Sequence, residues 1–198
     1  MLVTEKAKPL FKDDVIEGRR LHYYDKGETI PLVAGGVWQV YRGVAQLSQV
    51  AGTGEEILLG WAQPGHVFGL WLTYMEGYQA KALSEIYLRW YNLSEIESSP
   101  QLTQTMLNQV TRRIRQTEAI LAIAGLRRVE DRLLQLLKLL KQEMGESLAD
   151  ERSRISIRLT HQNIANAIGT TRVTVTRLLG EFQRQDIITV DNERHIIL

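Results

Sequence analysis

Apolar and polar residues alternate in short runs through the first half of the chain and fall into helical spacing through the second. Val37-Trp-Gln-Val-Tyr-Arg42, Val44-Ala-Gln-Leu-Ser-Gln-Val50 and Glu56-Ile-Leu-Leu-Gly-Trp61 are strand-like runs punctuated by Gly43, Gly52/Gly54 and Pro64-Gly65. Val67-Phe68-Gly69-Leu70 and Glu85-Ile-Tyr-Leu-Arg-Trp90 continue the pattern. Short runs bounded by turn residues predict antiparallel strands closing into a sandwich, roll or barrel. Gly52-Thr-Gly54-Glu-Glu has no third glycine and no following helix, so it reads as a hairpin turn rather than a dinucleotide loop.

After Pro100 the period changes. Thr103, Leu107, Val110, Ile114, Thr117, Leu121 and Ala124 recur in steps of 4 and 3, an a/d seam on a helix running to about Leu126. Such a stripe suits a helix covering the sheet, and its regularity also suits a partner helix of the same kind in a parallel dimer. Both can hold, with Met106, Ile120 and Ile123 facing the sheet while Leu107, Val110, Ile114, Thr117, Leu121 and Ala124 face the partner. A second helix is expected from Val129 to Met144, carrying Leu133, Leu134, Leu136, Leu137, Leu139 and Leu140 and ended by Gly145. Residues Gly145–Ser153 read as a polar loop, and Arg154-Ile-Ser-Ile-Arg-Leu159 as a half-buried strand.

Thr160 to Val190 is the informative stretch. Thr160 can cap a helix over His161–Ile168, Gly169 permits a tight turn, and Thr171 can cap a helix over Arg172–Gln183. Small Ala165 stands where two helices must approach, and Ile164, Ile168, Val175 and Leu178 can form a shared core. The spacing is that of a helix-turn-helix. Ile187–Val190 and His195–Leu198 flank Asp191-Asn-Glu-Arg194, a hairpin that would serve as a wing. In this arrangement the second helix presents its N-terminal side chains to base edges in the major groove. Arg172 can donate a bidentate pair to guanine, Val173 can contact a thymine methyl, and Arg177, about 140° further round the helix, can read a base or hold a phosphate. Thr170, Thr171, Thr174 and Thr176 can donate to phosphates, and Thr160, His161 and Gln162 at the start of the first helix are further candidate DNA-binding residues.

Composition sharpens the division. The chain has 198 residues and a net charge of +1. Thirteen of its fourteen aromatics and eleven of its fifteen glycines precede residue 98. Residues 1–97 carry nine basic and twelve acidic side chains, net −3, and residues 98–198 carry fifteen and eleven, net +4. Between Arg152 and Arg184 six arginines face the single acid Glu181. We therefore expect three units: a sensor-like β-roll over 1–97, a dimerisation helix over 98–126 and a winged-helix unit over 127–198. With no cysteine there can be no disulfide, thiolate zinc site or cysteine nucleophile. No signal peptide or membrane-length apolar segment is present, which leads to a cytoplasmic expectation. Paired acids such as Asp13/Asp14 and Glu55/Glu56 fit solvated turns. No enzyme motif and no resident cofactor or metal are indicated.

Thr160-His-Gln-Asn-Ile-Ala-Asn-Ala-Ile-Gly-Thr-Thr-Arg-Val-Thr-Val-Thr-Arg-Leu-Leu-Gly180 and Arg113-Ile-Arg-Gln-Thr-Glu118 resemble the CRP/FNR (cAMP receptor protein) superfamily of bacterial transcription regulators. The similarity is strongest to the cyanobacterial nitrogen-control branch. The resemblance implies an α+β fold: an N-terminal antiparallel β-roll of the cyclic-nucleotide-binding type, a long dimerisation helix and a C-terminal winged helix-turn-helix. It also implies a homodimer on palindromic double-stranded DNA, with half-sites about 34–36 Å apart. RNA polymerase is the implied partner if the protein is an activator. Val173 stands where the cAMP receptor protein has a glutamate, which favours a GTA…TAC-type palindrome.

The resemblance also places a candidate effector pocket at Phe68, Gly69, Leu70, Trp71, Lys81, Thr117 and Glu118. Phe68-Gly-Leu-Trp71 lacks the family's phosphate-side glutamate, Gly77–Ala82 lacks its arginine, and Glu118 replaces a serine. An anion buried without those partners is costly, so cAMP is not expected. The arginine-bearing loop used by nitrogen-control regulators for 2-oxoglutarate is shortened, and a chain without cysteine cannot carry the FNR-type cluster. His22 and His66 are expected in loops or at the surface, and Trp38, Trp61, Trp71 and Trp90 in the core. Control by abundance or by a protein partner, with no effector at all, stays open. The expected function is sequence-specific DNA binding. The alternative is a metabolite sensor whose winged helix mediates protein contacts.

Overall fold

A computed structural model describes residues 14–16, 18–149 and 151–198. Asp13, of the Asp13/Asp14 pair read above, lies outside them. Ten strands come first: β1 (Val15–Ile16), β2 (Arg19–Arg20), β3 (His22–Tyr24), β4 (Thr29–Ile30), β5 (Gly36–Arg42), β6 (Ala45–Val50), β7 (Glu56–Ala62), β8 (Val67–Phe68), β9 (Tyr78–Ala82) and β10 (Ile86–Asn92). They build two antiparallel four-stranded sheets, ordered β3-β10-β5-β8 and β4-β9-β6-β7, beside the small β1-β2 pair. Strand periodicity turns alternate residues inward, so Ala80 and Ala82 are buried while Gln79 and Lys81 face out. Ile30, Trp38, Val40, Leu47, Phe68, Ile86 and Leu88, drawn from both sheets, fill the space between them.

Helix α1 (Leu93–Ser98) leads into α2 (Pro100–Ala124), then α3 (Val129–Met144). Ser99 caps α2 by accepting from the Leu102 amide, and Pro100 occupies the first turn, where its missing N–H costs nothing. Met106 and Ile123 bury against the sheet side, as the pattern predicts. The a/d seam does not: Leu107, Ile114 and Leu121 are 58%, 53% and 71% exposed. Helix α2 lies close on β7 because Gly60 has φ +140° and no side chain; a Cβ there would come within 2.3 Å of the Gln116 side chain.

The C-terminal part contains β11 (Gly145–Ser147), β12 (Ser153–Ile155), α4 (His161–Ile168), α5 (Arg172–Arg184), β13 (Thr189–Val190) and β14 (Ile196–Ile197). Leu133, Leu136, Leu137 and Leu140 of α3 pack with Ile164, Val175, Leu178 and Phe182, and the same cluster takes in Val44, Leu58, Trp61 and Leu83 of the roll.

Several expectations are corrected. Residues 145–153 are not wholly a loop, because Gly145–Ser147 pair with β12 and make the wing a four-stranded sheet. The strand expected over Arg154–Leu159 ends at Ile155. Ser153 exchanges both backbone bonds with Leu198, after which the chain turns in to bury Ile157 and begin α4. Val67–Leu70 is a strand only to Phe68, and Leu70–Leu72 forms a 3₁₀ turn that leaves Trp71 52% exposed rather than in the core. His66 lies in the β7–β8 loop, as expected, but is buried there, and His22 lies half-buried on strand β3 rather than in a loop. Four two- or three-residue strands, β1 to β4, carry too little periodicity to be read from sequence.

Candidate nucleic-acid interface

Two local capping signals set the geometry of α4 and α5. The Thr160 hydroxyl accepts from the Asn163 amide at 3.1 Å, and the Asn163 side-chain oxygen accepts from the Thr160 amide at 3.0 Å, a reciprocal capping box. Gly169 ends α4 in the left-handed region at φ 61°, and the Thr170 amide donates to the Ala165 carbonyl at 3.0 Å. Thr171 then caps α5 by accepting from the Thr174 amide. Ala165 is fully buried at the crossing, against Val175 and Leu178.

With its inner face spent on this core, α5 presents Arg172, Val173, Thr176 and Arg177 outward, and Val173 is 78% exposed. An exposed valine at the second position of a helix has no packing role. Beside α5, a cleft of about 740 Å³ runs between α4, α5 and the wing, lined by Thr160, His161, Gln162, Arg172 and Thr176. Arg158 and Arg194 line it too. Neither is evident from the sequence, where Arg158 falls in a strand-like run and Arg194 in a turn. Arg194 has φ 65° at the wing tip, with its amide bonded to the Asp191 carbonyl.

The threonines are less available than the sequence suggested. Thr171 and Thr174 hydroxyls bond each other at 2.9 Å. The Thr176 hydroxyl donates to the Arg172 carbonyl and so is left to accept from His161 Nδ1 at 2.7 Å, bracing α4 against α5. Arg177 donates to Glu181 one turn on. The wing is braced in turn by Arg154, whose guanidinium reaches Glu146, Asp191 and Glu193 at 3.4–3.5 Å. The His195 amide, bonded to Asp191, and the nearby positive charge hold the Asp191 carboxyl below the usual carboxylate range. Asp191, Glu193 and His195 are the one group of metal-capable donors among the described residues, and Arg154 sits among them.

A second cavity, about 570 Å³, lies between the roll and α2. Of the expected pocket residues it is lined by Phe68, Thr117 and Glu118. Gly69, Leu70 and Trp71 lie in the turn outside its lining, and Lys81 points to solvent from the outer face of β9. The cavity's cation is instead Arg113 on α2, which lines it together with Tyr78. Burial pulls the Arg113 pKa down and pushes that of Tyr78 up. Helical spacing placed Arg113 outside the seam but gave no sign that it faces the sheet. Val110, Ile114, Leu121 and Ala124 of the seam also line this space, so its open side coincides with the exposed stripe.

Residues 127–198 match the family described as a Crp-like helix-turn-helix domain. The global nitrogen regulator of Nostoc sp. PCC 7120 is 33% identical over 80% of this chain and 74% of its own length. Regulatory protein CysR of Synechococcus elongatus is 34% identical over 78% of this chain and 72% of its own. Among solved structures, FixK2 from Bradyrhizobium japonicum superposes with a TM-score of 0.75 at 22% identity, covering 90% of this chain and 91% of that one. These last values speak for the fold alone. It is the antiparallel roll, long helix and helix-turn-helix that the sequence led us to expect.

Proposed function

This chain belongs to the CRP/FNR superfamily of DNA-binding transcription regulators, and from that premise we propose that it acts as a homodimer reading a palindromic site in the major groove without cAMP. The observation that carries the reading is the α5 N-terminus: Arg172 and Val173 stand exposed on a helix capped and buttressed by α4. Arg172 would donate to guanine and Val173 would meet a thymine methyl. Arg177 would leave or share Glu181 to reach the groove flank. Thr160, His161, Gln162 and Thr170 would approach the backbone, with Arg158 and Arg194 closing the cleft.

The homodimer would form along Leu107, Val110, Ile114, Thr117, Leu121 and Ala124, a stripe in which a solitary chain leaves the large apolar side chains of Leu107, Ile114 and Leu121 in water. The roll over 1–97 would then sense, the segment 98–126 join and 127–198 read. An effector, where one exists, would occupy the cavity beside Thr117, Glu118 and Arg113. Lys81 on the outer face leaves that cavity without the strand-borne cation a cyclic phosphate would need. RNA polymerase would be the partner of an activator, and such a regulator would work in the cytoplasm.

Arg172→Ala tests the reading. Titrated against a GTA…TAC palindrome at about 150 mM salt, the variant should lose roughly 1–3 kcal/mol and tolerate other bases at one position per half-site. Unchanged affinity and selectivity would instead favour a winged helix that contacts protein.

A further inference from the structure

We propose that Glu56 and Glu143 are positioning residues for DNA reading: two carboxylates that gather amide donors across the seam between roll and winged helix, mounting the reading unit at two points. Glu143, on the last turns of α3, accepts from Gln63 of the roll at 3.0 Å and from Gln116 of α2 at 3.1 Å. Gln116 is 1% exposed and its oxygen accepts from the Trp61 amide and from Arg113, so it cannot turn away without stranding buried groups. Glu56, on β7, accepts from Gln46 at 2.9 Å and from Asn166 of α4 at 3.2 Å. Gln46 is 2% exposed, and its own oxygen accepts from Asn163 at 3.3 Å.

The polarity is consistent throughout. Every bond at Glu56 arrives on an oxygen, and Gln162 in turn donates to Asn166 at 2.6 Å. Contacts among Val44, Leu58, Trp61, Leu83 and the helices also hold the two units together, but apolar contact has little directional preference. One polar anchor would leave rotation about itself; two anchors, on α3 and α4, together with the chain link from α2 to α3, give the three points that fix it. Both hold the winged unit by surfaces other than the one carrying Arg172 and Val173, which stays exposed. The mount therefore orients the reader without covering it, and DNA need not select that orientation from a rotating ensemble.

The proposal rests on the DNA-binding reading, and its test separates the two. Asn166→Asp sets a second carboxylate against Glu56, and like charges at this range repel. The swap Glu56→Gln with Asn166→Asp restores one donor and one acceptor with the bond reversed, and leaves the net charge of the wild type. Glu56→Gln alone is a mild change, because Asn166 and Gln162 can turn their amides over. Since the chain lacks cysteine, Gln79→Cys and Gln185→Cys provide clean spin-label sites on β9 of the roll and at the C-terminal cap of α5.

With doubly labelled protein diluted into excess unlabelled protein, so that distances within one chain are read, we expect a single narrow roll-to-α5 distance in the parent, a broadened one with Asn166→Asp, and a narrow one again in the swap. Affinity for the palindrome should fall about tenfold in the single variant, where two part-buried carboxylates oppose each other, and recover in the swap. A distance unchanged by Asn166→Asp, or a swap that fails to restore it, overturns the mount. If the parent does not select the palindrome, the DNA reading fails, and the distances still decide the mount.

Discussion

If the α2 seams face one another in a dimer, removing Leu107 should weaken association by an amount the exposure fixes. A leucine truncated to alanine loses about 2.4 kcal/mol when full burial is at stake, at ~0.8 kcal/mol per methylene-sized group. Leu107 is 58% exposed and Leu121 71%. Covering the truncated atoms therefore contributes about 1.4 kcal/mol at Leu107 and about 1.7 kcal/mol at Leu121 for each side chain. Each residue occurs twice in a dimer, so Leu107→Ala should raise the dimer dissociation constant roughly 100-fold and the double variant with Leu121→Ala more than about 10⁴-fold. Leu107 is the cleaner probe because it does not line the cavity, whereas Leu121 does. Sedimentation velocity over a concentration series reads the constant directly, and circular dichroism checks that the exposed site leaves the fold intact. A Leu107→Ala protein that dimerises as tightly as the parent, or a parent that stays monomeric, would refute the seam.

Two further perturbations follow from the packing. Gly60→Ala puts a Cβ within 2.3 Å of Gln116 and 2.7 Å of Arg113 at φ +140°; strain of about 1–3 kcal/mol should lower the melting temperature by several degrees, readable by calorimetry. Burial holds the His66 pKa below its ordinary 6.5, so the unfolded chain takes up the proton first. Stability is then complete above about pH 6.5 and falls on acidification towards the folded value, by at most ~1.4 kcal/mol per pH unit. Urea midpoints measured against pH should show this loss, and His66→Asn should flatten it.

The α4–α5 pair is legible in the sequence because the signals that bound it are local. Thr160, Ala165, Gly169 and Thr171 act on neighbours within five residues, and α4 begins and ends where those residues place it. Helix α3 was equally plain from its leucines. The edges of the roll were not, because strands as short as Thr29–Ile30 are defined by a partner, here β9, some fifty residues away. The same holds for function. Arg113 became a cavity residue, and Lys81 ceased to be one, only once the sheet faces were known. Bonds such as Asn163 to Gln46 span 117 residues and leave no periodic trace.

The central claim is that two copies of this chain read one palindrome through paired α5 helices. Selection from random double-stranded DNA with the purified protein, at about 150 mM salt and no added ligand, tests it without presupposing the site. The account predicts enrichment of a palindrome of the GTA…TAC type, with half-sites about 10–10.5 base pairs apart centre to centre. Enrichment of no motif, or of a lone half-site without its symmetric mate, would contradict it.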